Sequence, residues 1–198
     1  MNWIGLTGGI ATGKSTVARL VEGRGIPVVD ADRVSHELSQ PGQSGYEAIV
    51  SHFGASILDA QKLIDRQKLA LLIFSDATHK ASLEGILHPL IQVEVKRRRT
   101  DLSQKGHQLC FYDVPLLFEK NLEQQFSSTV FVWCSPAQQL SRLMARNGLT
   151  QEQAVLRISN QMSLLDKVSR ANHCLDNSGD TADIEKQLDV LLARLTPA

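Results

Sequence analysis

The sequence predicts an α/β, three-layer fold with a five-stranded parallel sheet, and three observations carry that prediction. First, a short apolar run at residues 3–7 leads into a glycine-rich loop. A helical pattern with Val17, Leu20 and Val21 on one face comes next, and then a second apolar run at 26–29. Strand, loop, helix, strand is the unit that builds parallel sheets. Second, further short apolar runs at 108–114, 129–134 and 173–175 alternate with helical patterns. Third, the block from about 33 to 105 contains no convincing strand and reads as a helical insertion between the second and third strands.

Each element has its own signals. Gly23 and Gly25 end the first helix. Within the insertion, Tyr46, Ile49, Val50 and Phe53 fit one helix stopped by Gly54, and Leu69, Leu72, Ile73 and Phe74 fit another. His88-Pro89 is expected to interrupt a third helix, which resumes over 90–99. Ser135, Pro136 and Gln138 make a capping box with proline at the first helical position, opening a helix that runs to Asn147-Gly148. Thr150 and Gln153 repeat the box before a helix carrying Arg157. Asp180 caps a last helix whose Ile184, Leu188, Leu191, Leu192 and Leu195 form one apolar stripe.

Composition narrows the function classes. The chain has 198 residues, enough to bury roughly 70% of the surface its unfolded form exposes. Lys plus Arg equals Asp plus Glu at 21 each, so no global basic field draws in nucleic acid or an anionic membrane. No window approaches a membrane span, and residues 1–6 lack the basic start of a signal peptide. A cytoplasmic protein with no obligate protein partner is expected. Cys110, Cys134 and Cys174 show no metal-ligand spacing and are expected to be buried thiols.

The chemistry concentrates in Gly8-Gly9-Ile10-Ala11-Thr12-Gly13-Lys14-Ser15. Glycines at these positions let backbone N–H groups converge on phosphate oxygens, and the following helix adds its positive end. Lys14 can reach the β- and γ-phosphates of a nucleoside triphosphate, and the Ser15 hydroxyl can ligate Mg²⁺. Gly9 through Thr16 are therefore the expected ATP-binding residues of a P-loop NTPase fold. Asp30 and Asp32 follow the second strand, where ligands of an open parallel sheet bind. One can accept a proton from an acceptor hydroxyl while the other caps the next helix. Asp113 ends an apolar strand, where a carboxylate can hold Mg²⁺ or can simply close a turn. Arg142 and Arg146 share a helix face and Arg157 sits on the next helix. They read equally as helix-end cations or as a lid over the transferring phosphoryl group. The run Lys96-Arg97-Arg98-Arg99 reads first as a solvated helix face. His88 is a candidate acceptor contact.

These blocks, taken in order, resemble the dephospho-CoA kinase family. The resemblance rests on residues 5–16, on Asp30-Ala31-Asp32 with His36, and on Leu87-His88-Pro89. It continues through Asp113-Val114-Pro115-Leu116-Leu117-Phe118-Glu119, Arg146-Asn147-Gly148-Leu149, Arg157 with Gln161, and Asp176-Asn177-Ser178-Gly179. It implies a core (1–32, 106–140, 172–198), a helical acceptor domain (33–105) and a lid (141–171). It also implies ATP and Mg²⁺ as cofactors and the ribose 3′-hydroxyl of dephospho-CoA as acceptor. By position, Asp32 resembles the catalytic carboxylate, Lys14 the phosphate-neutralising cation and Arg146 a lid arginine. Arg142 and Arg157 join the ATP site, and Asn177 lies near the adenine. His88, Asp113 and Leu116 join the acceptor side. One departure is Ala171-Asn172, where the family has Ala-Asp; His173 and Cys174 also replace aliphatics. Local effects near the adenine are expected from these changes. The competing readings are another small-molecule P-loop kinase, with a nucleotide or sugar-acid acceptor, and a partner-driven ATPase. The guanine-reading Asn-Lys-x-Asp and a transporter signature are both absent.

Overall fold

The computed structural model describes residues 1–196. The described residues divide into two compact units, residues 1–29 with 102–196, and residues 30–101.

The first unit is built on the sheet. Strands β1 (Asn2–Gly8), β2 (Val28–Asp30), β3 (Leu109–Asp113), β4 (Ser128–Trp133) and β5 (His173–Asp176) lie in the order β2-β3-β1-β4-β5. Pairing is parallel, with Leu6 opposite both Asp113 and Val130. The chain leaves β1 toward one edge and later returns to fill the other, so the carboxyl end of β1 is a topological switch point. The period of two along the strands makes two cores. Ile4, Leu6, Phe111, Val130 and Val132 pack against Val17 and Val21 of α1 (Lys14–Gly23) and the stripe of α9 (Thr181–Leu195). Phe131 and Trp133, which alternate with them, face the opposite way with Phe118 and Leu164 of α8 (Leu164–Arg170). Helices on both faces of one sheet give the three layers. All five stripe residues of α9 are buried, as its periodicity predicts.

Helices α6 (Pro136–Asn147) and α7 (Gln151–Ser159) start at the two capping boxes, both complete in side-chain and backbone terms. Gly148 ends α6 in the left-handed conformation. Helix α8 was not expected from the sequence. It is a seven-residue helix capped by Ser163, too short to show a periodic stripe.

The second unit is helical: α2 (Ala31–Leu38), α3 (Ser44–Phe53), α4 (Arg66–Ser75) and α5 (Ala77–Gln104). Val34, Ile49, Ile57 and Val95 are its buried apolar residues. Contrary to expectation, Pro89 does not interrupt the third helix: α5 is continuous over 28 residues with Pro89 inside it. Proline removes one N–H and crowds the carbonyl four residues back. That residue is Gly85, which has no side chain to add to the crowding. The basic run is a paired surface. Arg97 binds Glu94 at 2.8 Å and Asp101 at 2.5 Å, and Arg98 binds Glu94 at 2.7 Å and also Glu37.

Two further expectations need correction. Cys110 and Cys134 are buried thiols, but Cys174 is exposed because it sits on edge strand β5. Asn172 does not lie near Asn177: it precedes β5, at the strand's amino end, with Asn177 just past the carboxyl end. Its Oδ1 accepts from the backbone N–H and the hydroxyl of Thr129, at 2.9 and 3.0 Å. An amide oxygen does this as well as a carboxylate would, so the missing charge leaves neither Thr129 donor without its acceptor.

Candidate active site

The glycine-rich loop is held from outside at three points. Gln139 Nε2 donates to the Ile10 carbonyl at 2.9 Å, and the Ile10 N–H donates to Gln161 Oε1 at 2.9 Å. Asn177 Nδ2 donates to the Thr12 carbonyl at 2.8 Å. The loop also braces itself, with the Thr12 hydroxyl donating to the Gly9 carbonyl at 3.0 Å. Two glycines are required by this packing. A Cβ on Gly9 would stand 2.6 Å from Leu164 Cδ2 and 2.9 Å from Gln139 Nε2. Gly13 has φ of +96°, and a Cβ there would collide with the Asn177 amide. Ala11 also takes a positive φ of 60°, a conformation costly for a residue with a Cβ.

Lys14 opens α1, and its Nζ pairs with Asp113 at the end of β3. The Asp113 side chain is 3% exposed and that of Lys14 is 19% exposed, so the charges meet in a sheltered place. Strand register dictates the meeting, because Asp113 is level with Leu6, just before the loop. Ser15 follows on the exposed side of the helix start.

Asn177 also closes the rear of the site. Its N–H donates to the Trp133 carbonyl at 2.8 Å, and its carbonyl accepts from Arg142 Nη2 at 3.0 Å. Next to it, Ser178 accepts from the Ser135 N–H at 3.1 Å and its carbonyl accepts from Gln138 Nε2 at 2.7 Å, tying this loop to the start of α6. Arg142 Nη1 is buried without a hydrogen-bond partner among the described residues. Burial pushes the Cys134 thiol up, opposed by the guanidinium of Arg142. Arg146 is exposed, with its Nε on Asn147 Oδ1 at 3.0 Å, and Arg157 is exposed near the end of α7. Leu116 is 38% exposed in the turn after β3.

A buried ion pair anchors the segment that carries Gln161. Lys167 is fully buried with Nζ 2.7 Å from Glu119 Oε1, and the same oxygen accepts from the Met162 N–H at 3.2 Å. Lys167 Nζ and Glu119 Oε2 have no hydrogen-bonded partner among the described residues, so the ion pair carries their burial. Leaving either charge alone would cost several kcal/mol, on the order of 3–5. The pair therefore fixes where α8 sits.

The second unit carries its own cavity, about 500 Å³. Asp32 lines it, and so do His36 and Arg66; Leu63, Leu69 and Ile73 supply an apolar wall. Asp30, not Asp32, is the helix cap: its carboxylate accepts from the N–H groups of Asp32 and Arg33 at 2.8 and 3.0 Å. The Asp32 side chain is thereby left exposed in the first turn of α2. Leu87 lines the cavity, whereas His88 is exposed on α5.

Among the described residues no three His, Cys, Asp or Glu side chains converge on a metal-sized site. Mg²⁺ bound with a nucleotide needs no such cluster, since it takes one or two protein oxygens and completes its shell with phosphates and water. The Ser15 hydroxyl and the Asp113 carboxylate are oxygen donors of that kind beside the loop, so the residues fit.

Of these contacts, the sequence reading missed the Gln139 clamp, although an uncharged polar residue facing inward on a capped helix is a detectable oddity.

Comparison with known proteins matches residues 2–183 to the family model described as dephospho-CoA kinase. A dephospho-CoA kinase of Lactobacillus johnsonii is 39% identical over 193 residues, covering 98% of each chain. Among solved structures, protein TT1252 of Thermus thermophilus is 33% identical with a TM-score of 0.80, covering 99% of this chain and 98% of the other. The dephospho-CoA kinase of Campylobacter jejuni is 25% identical with a TM-score of 0.75, covering 98% and 97%.

Proposed function

The chain belongs to the dephospho-CoA kinase family, and we propose that it transfers the γ-phosphoryl group of ATP to the ribose 3′-hydroxyl of dephospho-CoA, giving coenzyme A and ADP. The observation that carries this reading is the match over residues 2–183 to that family's model, on a chain whose phosphate loop is intact and clamped.

Phosphoryl transfer asks the protein for position and charge, because little covalent chemistry falls to its side chains. The backbone from Gly9 to Thr16 cradles the phosphates, and Lys14 moves from Asp113 alone to a shared position against the β- and γ-oxygens. Ser15 and Asp113 are the residues that would hold Mg²⁺, which would supply charge neutralisation to the transferring phosphoryl group. Asp32 orients the acceptor hydroxyl and takes its proton as the new P–O bond forms and the bond to the ADP oxygen breaks. Arg146, with Arg142 and Arg157, belongs to a lid over 141–171 that brings positive charge to the triphosphate. Asn177 contacts the adenine side. His88, Asp113 and Leu116 contribute to the acceptor side, and residues 33–105 form the acceptor domain. Among the described residues no helix is long and apolar enough to cross a membrane. The proposed reaction is that of a cytoplasmic enzyme acting on small molecules without an obligate protein partner.

The test is Asp32→Asn, measured with a coupled ADP-release assay. ATP affinity is expected to stay within about twofold while kcat falls roughly 10²–10⁴-fold, the range for a general base. Full turnover in the variant overturns the role of Asp32. ATP consumption with a nucleoside monophosphate or a sugar acid, and none with dephospho-CoA, overturns the acceptor.

A further inference from the structure

We propose that Arg66 and His36 form the subsite that grips the acceptor's 5′-diphosphate, so that this pair selects phosphorylated nucleoside acceptors over bare nucleosides. The inference rests on the reading that dephospho-CoA is the acceptor, and it gives a role to Arg66, which lies outside the motifs, and to His36, which the motifs leave without one.

The cavity of the second unit has two chemical halves. Leu63, Leu69 and Ile73 make the apolar one, suited to an uncharged arm. Asp32, His36 and Arg66 make the polar one. Arg66 is the cation of that half, and no carboxylate pairs with it among the described residues. Its Nη2 instead lies against His36 Nδ1, which Gln40 Nε2 also approaches at 3.3 Å. Three other cations of this unit are occupied: Arg97 and Arg98 are held by Glu94, Asp101 and Glu37, and Lys68 by the Leu58 carbonyl at 2.6 Å. Asp59, the other acid of the cavity, already accepts from the N–H groups of Gln61 and Leu63 at 2.9 and 2.8 Å. A guanidinium directed at an imidazole nitrogen and not at a carboxylate still has its bidentate fork available for phosphate oxygens. With Nδ1 against Arg66, Nε2 is the ring nitrogen of His36 left to meet a phosphate oxygen.

Spacing ties this pair to the reaction. Asp32 and His36 are four residues apart on α2, one turn and about 6 Å along the helix. The 3′-oxygen and the 5′-phosphate of a single ribose are separated by a comparable distance, across the ring. A nucleoside whose 3′-hydroxyl meets Asp32 therefore presents its 5′-phosphate at His36 and Arg66. An arm leaving that phosphate runs toward Leu69 and Ile73. A 3′-hydroxyl without the 5′-phosphate has nothing to fix its register against Asp32.

The experiment is steady-state kinetics of Arg66→Met, Arg66→Lys and His36→Gln with dephospho-CoA and, in parallel, with adenosine as the acceptor lacking phosphate. Arg66→Met is expected to raise KM for dephospho-CoA about 10- to 100-fold, the loss of charge-assisted hydrogen bonds to phosphate. KM for ATP stays unchanged. Arg66→Lys restores part of the loss, and His36→Gln, which keeps a donor, loses less than Arg66→Met. With adenosine, wild type and variants turn over equally slowly. An unchanged KM for dephospho-CoA in Arg66→Met, or an equal loss with adenosine, overturns the subsite while leaving the kinase reading intact. A wild-type protein inactive on dephospho-CoA overturns the kinase reading itself and the subsite with it. Arg66 is exposed, so the variants are expected to fold, and their melting temperatures report whether they do.

Discussion

Gln139→Leu separates a loop held by its own sequence from a loop held by its surroundings. Gln139 is 3% exposed, and its amide reaches the Ile10 carbonyl at 2.9 Å. Leucine keeps roughly the same volume and leaves that carbonyl without a donor. A buried acceptor stripped of its partner costs about 1–3 kcal/mol. The cost has two places to appear. In a rigid loop it lowers global stability and leaves ATP affinity alone. A loop rich in glycine, with Ala11 already at positive φ, relaxes instead, and ATP must then reorder it on binding. The apparent Kd rises by the inverse of the competent fraction, about 5- to 30-fold for 1–2 kcal/mol. Gln161 grips the N–H of the same residue at 2.9 Å, so Gln139→Leu and Gln161→Ala are not independent. The double variant is expected to lose less than the sum of the singles, by 0.5 kcal/mol or more on the order-of-magnitude scale of touching residues. Isothermal titration with MgATP and a thermal melt measure both. A Kd within twofold of wild type, with the whole loss in the melting temperature, refutes the claim that these glutamines pre-organise the loop.

Two other predictions concern the two units. Leu188→Ala removes a fully buried side chain from the α9 stripe and is expected to cost about 3 kcal/mol, lowering the melting temperature by roughly 6–12 °C with kcat preserved at low temperature; a change under 2 °C, on the same scale, contradicts the packing. In the second unit, Arg97, aided by Arg98, holds the Glu94 carboxyl down to about 2 from the ordinary 4.5. A depressed carboxylate stabilises the fold above its unfolded value and loses that contribution as pH falls through its folded one. Arg97 is 58% exposed, so screening leaves on the order of 1 kcal/mol. Urea unfolding of wild type and Glu94→Gln is expected to show a gap that is full at neutral pH and closes between about pH 4.5 and 2. A gap that does not change with pH contradicts it.

Where one residue type must do one job, the sequence was readable. The phosphate loop, both capping boxes and the α9 stripe are of this kind, because few residues satisfy a tight turn, a helix start or a buried face. Legibility fell where the partner is distant in sequence. Gln139 looks like an ordinary helix polar and Gln161 like an ordinary loop polar until the fold brings Ile10 between them, 129 and 151 residues away. Asp30 and Asp32 carry the same group two positions apart, and only the backbone turn decides which caps α2. Pro89 is a local breaker overruled by helix on both sides. Asn172 lies at the amino end of β5, away from Asn177, and a chain position gives no strand direction until the register is known. Arg66 carries no signal in the sequence, since an arginine at a helix start is unremarkable without the cavity that surrounds it.

The most direct measurement is the chemical identity of the product formed from ATP and dephospho-CoA by the purified protein, read by mass spectrometry and phosphorus NMR. The expected product carries one added phosphate, present as a monoester on the ribose 3′-oxygen, with one ADP released for each. No gain in mass on dephospho-CoA, or a phosphate at any other oxygen, contradicts it.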